Sequence, residues 1–203
     1  MAEVALEQAP RKAREHYEKG IASLERGNID YAMDMFLMAI DLCPGLLRAR
    51  KYLRAAALKK SKEQKTSSFG RALSTLGGSG TMMKVQSLLK KNPAQAVREA
   101  EELLRKDPLN PTFINTACQA ALAADMPEVA ILNLEVARDN GARDLKSLEF
   151  LAELYQQNGR MHDARETYET LVRLKPTDPE MVRKLKDATA LDTVQRGNWE
   201  GAT

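Results

Sequence analysis

Small and apolar residues recur along this chain in paired runs with the spacing of amphipathic helices, and each run closes on a glycine, asparagine or proline. The sharpest pair lies between Ala13 and Leu46, where Gly20, Gly27, Ala32, Phe36, Ala39 and Pro44 stand 7, 5, 4, 3 and 5 residues apart. Ala32, Phe36 and Ala39 form an i, i+4, i+7 stripe on one helix face. Gly20 lets a preceding helix approach that stripe closely, Gly27 with Asn28 supplies the turn between the two helices, and Pro44 stops the second. The pattern predicts a helix hairpin from about Arg11 to Cys43, entered at Pro10 after frayed or weakly helical residues 1–10.

The same frame recurs downstream. From Leu145 to Asp178 it is filled by Leu148, Leu151, Ala152, Tyr155, Gly159, Ala164, Tyr168, Leu171 and Pro176, with Ala152 in the place of Gly20. From Pro111 to Asp144 it is filled by Ile114, Ala117, Cys118, Ala121, Ala130, Leu134 and Ala137. The turn of that unit has no glycine, so Asp125 is expected to cap the helix that Pro127 begins, and Gly141 to stop it. Ala96, Ala100, Leu103 and Pro108 reproduce a second helix behind the cap signal Asn92-Pro93, whereas the helix before it is truncated to about residues 81–90. Leu46 to Lys65 reads as one amphipathic helix with Leu46, Ala49, Leu53 and Ala56 on one face. Residues 66–80 combine small polar residues with Gly70, Gly77, Gly78 and Gly80, and are expected to form a flexible insertion with a short helical piece at Phe69–Leu76. After Pro179 a capping helix over 179–191 is expected to turn Met181, Leu185, Ala188 and Leu191 inward and Lys184 and Lys186 outward. Residues 192–203, with Trp199, are expected to be a disordered tail.

On these residues the chain resembles the tetratricopeptide repeat family, whose unit of about 34 residues is one helix-turn-helix. The units are 13–46, 111–144 and 145–178, with an irregular stretch over 47–108, in one domain over 11–191. The resemblance implies an all-α, right-handed solenoid of hairpins with a C-terminal capping helix. It also implies a concave groove, lined by the first helices, for a peptide or protein partner, and no reaction. The groove positions it implies are Arg14, Tyr17, Ile21, Leu24 and Glu25 in the first repeat. They continue with Thr112, Asn115, Gln119, Leu122 and Ala123, then Lys146, Glu149, Glu153, Gln156 and Gln157. The Lys and Asn clamp by which some members hold a C-terminal carboxylate is incomplete here, since Asn115 lacks its basic partners.

Composition changes this picture at one place. The 203 residues are 43% hydrophobic, 29% charged and 5% aromatic with a net charge of +3, an ordinary balance for a soluble helical chain. Yet Arg48, Arg50, Lys51, Arg54, Lys59, Lys60, Lys62, Lys65 and Arg71 fall within one stretch against the single acid Glu63, so the remainder is acidic. One reading is a basic patch for phosphate groups of nucleic acid, an anionic surface or an acidic partner. The favoured reading is a solvated face, or one paired with acids such as Glu99, Glu101 and Glu102, because no aromatic interleaving accompanies the charge. Self-assembly through exposed repeat ends or residues 66–80 is a third reading of the chain's role.

No cofactor or metal is expected. His16 and His162 have no second ligand at metal spacing, and the Gly-Gly-Ser-Gly run lacks the Lys and strand of a phosphate loop. Cys118 is expected to be a buried thiol and Cys43 an exposed one, too far apart in sequence to suggest a disulfide, which fits a reducing compartment. The N-terminus lacks the apolar run of a signal peptide and no stretch has the length of a membrane span, so a cytoplasmic location is expected.

Overall fold

The computed structural model describes residues 3–64, 78–141 and 144–200. Among them every regular element is helical. A 3-10 turn at Leu6–Gln8 precedes α1 (Arg11–Glu25), α2 (Ile29–Leu42), α3 (Leu47–Gln64), α4 (Ser79–Leu88) and α5 (Pro93–Lys106). Then follow α6 (Pro111–Ala123), α7 (Pro127–Asp139), α8 (Leu145–Gln157), α9 (Met161–Leu174) and α10 (Pro179–Glu200). Contacts gather the chain into two compact units, Met1–Asn140 and Gly141–Thr203, where the repeat frame alone predicts one domain. Gly141, at φ +93°, ends the first unit's last helix at the division.

Short polar side chains start five of the helices. Asn28, Asn92 and Asp144 accept from the backbone N–H three residues on, at 3.3, 3.1 and 2.9 Å. Asn110 does so from Thr112 and Phe113, and Asp178 from Glu180 and Met181. Each satisfies donors that a helix start otherwise leaves open, and three of the five precede a proline whose missing N–H is no loss there.

The turns repeat one another at atomic level. The N–H of Asn28 donates to Ser23 O, that of Met126 to Ala121 O and that of Arg160 to Tyr155 O, at 2.9, 2.9 and 2.8 Å. The residue closing each helix lies at positive φ, Gly27 at +79°, Gly159 at +73° and Asp125 at 55°. Asp125 therefore does not cap α7, as its sequence position suggests, but takes the left-handed place of the turn glycine, and Met126 is the cap residue without a side-chain bond.

In the first unit Phe36 of α2 is fully buried against Gly20 of α1, where a Cβ would stand 2.5 Å from the ring. Tyr17 and Tyr52 complete an aromatic cluster around it, with centroids 5.6–6.0 Å apart. The start of the chain is tied to this core rather than frayed: Val4 N–H donates to Gly45 O at 2.8 Å and Ala9 is buried. Cys43 is also buried, because the chain end and α3 close over it, contrary to the exposure its helix-end position suggests. Gly78 is buried beside Phe113 of α6, so α4 begins at Ser79, and the last residues of the expected insertion are held by a close contact. The rest of that insertion, with the short helix expected at Phe69–Leu76, lies outside the described residues.

In the second unit Leu148, Ala152, Tyr168, Leu171, Met181 and Ala188 form the core between α8, α9 and α10. The expected disorder from residue 192 is overturned, since α10 runs unbroken to Glu200, and of that stretch residues 201–203 lie outside the described set. Asp192 is the reason. It is 5% exposed and accepts from Arg165 of α9 at 2.9 Å and from Arg196 at 2.8 Å, while Gln195 donates to Gly159 O at 3.0 Å. Leu191, placed inward by the sequence pattern, is 44% exposed, because the helix turns Asp192 to α9 in its stead. Asp192→Ala is expected to release the end of α10: amide hydrogen exchange beyond Thr193 accelerates while Met181 to Ala188 keep their protection, read by exchange mass spectrometry. Equal acceleration along the whole helix would show that Asp192 is no local anchor.

Candidate functional site

The first-helix positions fall differently in the three hairpins. In α6 the face Thr112, Asn115, Gln119, Leu122 and Ala123 is exposed along its length, while Phe113, Ile114, Thr116, Ala117, Cys118, Ala120 and Ala121 are buried. Gln119 accepts from Gln86 of α4 at 3.1 Å, which joins the two helices at this face. In α1 the corresponding row is more closed: Tyr17 is buried, Arg14, Ile21 and Leu24 are half-buried, and Glu25 is exposed.

In α8 Lys146 and Gln157 are exposed, whereas Glu149 and Glu153 are half-buried under Lys184 of α10. Lys184 donates to both, to Glu153 at 3.0 Å, and those bonds hold its ammonium well above the usual lysine range. Gln156 accepts from the Tyr168 hydroxyl at 3.3 Å. Lys184 thus faces inward, opposite to the outward place its position in the sequence suggests, and pairs Glu149 and Glu153 with the chain's own last helix.

The expected basic patch divides in two. Arg50 and Arg54 are each 1% exposed and converge on Glu101 of α5, itself 2% exposed. Arg50 Nε donates to Glu101 Oε1 at 3.0 Å and Arg50 Nη1 to Pro44 O. Arg54 Nη2 lies 2.7 Å from Glu101 Oε2, a charge contact whose angle is poor for a hydrogen bond, and Arg54 Nε donates to Asn133 Oδ1 of α7 at 3.1 Å. Burial pushes the Glu101 carboxyl up and the guanidiniums of Arg54 and Arg50 pull it down further, so it stays ionised below the usual carboxylate range. Burial, against the opposing pull of the Arg54 guanidinium, pushes the thiol of nearby Cys118 up to about 12, so it is inert as a nucleophile. These two arginines are therefore struts between α3, α5 and α7 and not part of a surface.

What remains at the surface is a row on α3. Arg48, Lys51, Lys59 and Lys62 are exposed with Ala55 between them, on the helix face opposite Leu53 and Ala57. Arg48 stacks over the Tyr17 ring at 5.7 Å, which brings the row beside α1, and Lys60 points away to pair with Asp30. Lys65 and Arg71 lie outside the described residues.

Helix pairs that repeat one turn geometry define a helical-repeat protein of the helix-turn-helix kind. Residues 116–179 match the tetratricopeptide repeat family model, so the hairpins of that stretch are repeats of that family. No curated protein matches the sequence. Among solved structures the chain is similar to MamA protein at 13% identity, with a TM-score of 0.43 over 93% of this chain and 87% of that one. It is similar to a thermophilic TPR protein of Thermus thermophilus at 18% identity, with a TM-score of 0.44 over 88% and 99%. To the P58(IPK) TPR domain it is 14% identical, with a TM-score of 0.42 over 90% and 56%. At such values the assignment rests on the family match and the hairpins themselves. Among the described residues no helix is long and apolar enough to cross a membrane.

Proposed function

We propose that this protein is a non-enzymatic interaction module that binds a segment of a partner protein on its exposed first-helix faces. Tetratricopeptide repeats support a protein-interaction role in general. The observation that carries the finer reading is the open face of α6, where Asn115 and Gln119 present amides beside Leu122, 38% exposed, over a fully packed helix interior. Side-chain amides both donate and accept, so they fit the alternating polar groups of a peptide backbone, while the leucine offers apolar contact. Rigid backing of such a face lowers the ordering that binding requires.

A photo-crosslinking residue placed at Asn115 in the full chain tests this in cells. The expected result is crosslinks to a discrete partner from position 115 and none from position 38, on the outer face of α2 where Met38 is 45% exposed. Crosslinks from position 38 alone, or from neither, would overturn the reading.

A further inference from the structure

We infer that the segment bound on the exposed face shared by α1 and α3 is acidic, with carboxylates alternating with apolar side chains. This rests on the interaction reading above and names the partner chemistry for one of its faces. The face carries Arg14, Arg48, Lys51, Lys59 and Lys62 against Glu18, Glu25 and Glu63. Among the described residues no carboxylate pairs with Lys51, Lys59 or Lys62, although the same helix elsewhere satisfies its cations internally, Arg50 and Arg54 on Glu101 and Lys60 on Asp30. The unpaired cations therefore lie on one side of α3, the side that neighbours α1.

Apolar groups interleave with this charge. Ile21 and Leu24 of α1 and Tyr52 of α3 pack partly buried against the core, and Leu58 is half-buried one turn before Lys62. A ligand that alternates carboxylates with leucine-like side chains meets cations and apolar surface in turn. A nucleic acid fits less well. Binding of single strands relies on aromatic faces for the bases. The rings here are occupied with one another, Tyr52 stacked on Phe36 at 5.7 Å and edge-on to Tyr17 at 5.6 Å, with Arg48 over Tyr17.

The test uses the full chain and immobilised random dodecapeptide pools matched in leucine and phenylalanine but net acidic, neutral or basic, together with a poly-uridine strand as the nucleic-acid probe. The expected result at moderate salt is enrichment from the acidic pool by roughly tenfold over the neutral one, as several exposed ion pairs of modest individual strength would give. Lys51→Glu with Lys59→Glu should abolish that preference. Arg183→Glu with Lys186→Glu, the same charge change at exposed positions of α10, should leave it. Melting curves of both variants should match the parent, because among the described residues none of these four side chains holds a partner. No preference for the acidic pool, equal loss in both double variants, or tighter binding of poly-uridine with a steep salt dependence would each overturn the inference. Crosslinking from position 115 reads the broader interaction role separately, so loss of acid preference with crosslinks intact removes this inference alone.

Discussion

Glu101→Ala is expected to destabilise the first unit by about 3–5 kcal/mol in chemical denaturation, the usual consequence of leaving buried charge without its partner. Glu101 is the one carboxylate between two buried guanidiniums, and Asn133 offers Arg54 only a neutral oxygen. The truncated site would hold two like charges in a medium that screens them poorly. Replacing all three charged residues together, Arg50→Met, Arg54→Leu and Glu101→Leu, is expected to recover most of the loss, since no ion is then left to desolvate. The exposed pair Lys84–Glu99 provides the scale, and Glu99→Ala should change stability by less than about 1 kcal/mol. An effect of that small size for Glu101→Ala would mean that the cluster does not hold the helices.

The cluster also sets a pH dependence. The folded carboxyl of Glu101 lies below its unfolded value, so its contribution is fully present above the unfolded glutamate range, about 4.3, and is lost as pH falls through the depressed folded value. Stability measured from neutral pH downward should hold until that range and then decline. Glu101→Gln should start lower and show a shallower decline.

The two kinds of residue in this fold were unequally legible. Gly20, Gly27, Phe36, Gly159 and Pro176 mark hairpins because a turn or a close approach admits few alternatives, and the structure shows the steric reason at Gly20 and the left-handed backbone at Gly27 and Gly159. Asp125 hid its role because aspartate is also a common cap, and only the backbone angle separates the two. Arg50 and Arg54 were legible in part: they fall on the same helix face as Leu46, Leu53 and Ala57, a signal that the run of positive charge obscured. Their partner Glu101, 51 residues from Arg50, was among the three acids named for pairing with this stretch, but no local pattern singles it out from Glu99 and Glu102. The length of α10 was hidden for a like reason, since Asp192 gains its meaning from Arg165 on another helix. Among the first-helix positions that the resemblance implies, those of α6 are exposed, while Glu149 and Glu153 are claimed by Lys184, a contact across helices that spacing cannot announce.

Phe36→Ala is expected to cost about 3–5 kcal/mol, because the ring is fully buried and its neighbours Tyr17 and Tyr52 are held by their own packing. Gly20→Ala is expected to be destabilising in spite of the roughly 1 kcal/mol that alanine gains over glycine inside a helix. Its Cβ would stand 2.5, 2.7 and 2.9 Å from three ring atoms of Phe36, and the ring has no free side to retreat to. Overpacking of that kind costs about 1–3 kcal/mol. In the Phe36→Ala background the obstruction is gone, so the same Gly20→Ala change should become neutral or stabilising. The four-variant denaturation cycle reads this as a coupling well outside the roughly 0.5 kcal/mol expected of independent sites. The second unit supplies the converse. Ala152 occupies the frame position of Gly20 and is fully buried in a core that includes Tyr168, so its Cβ is already accommodated, and Ala152→Gly should lose about 1 kcal/mol with no relief from trimming Tyr168. Additive behaviour at Gly20 and Phe36 would mean that glycine is not required there by the approach of the two helices.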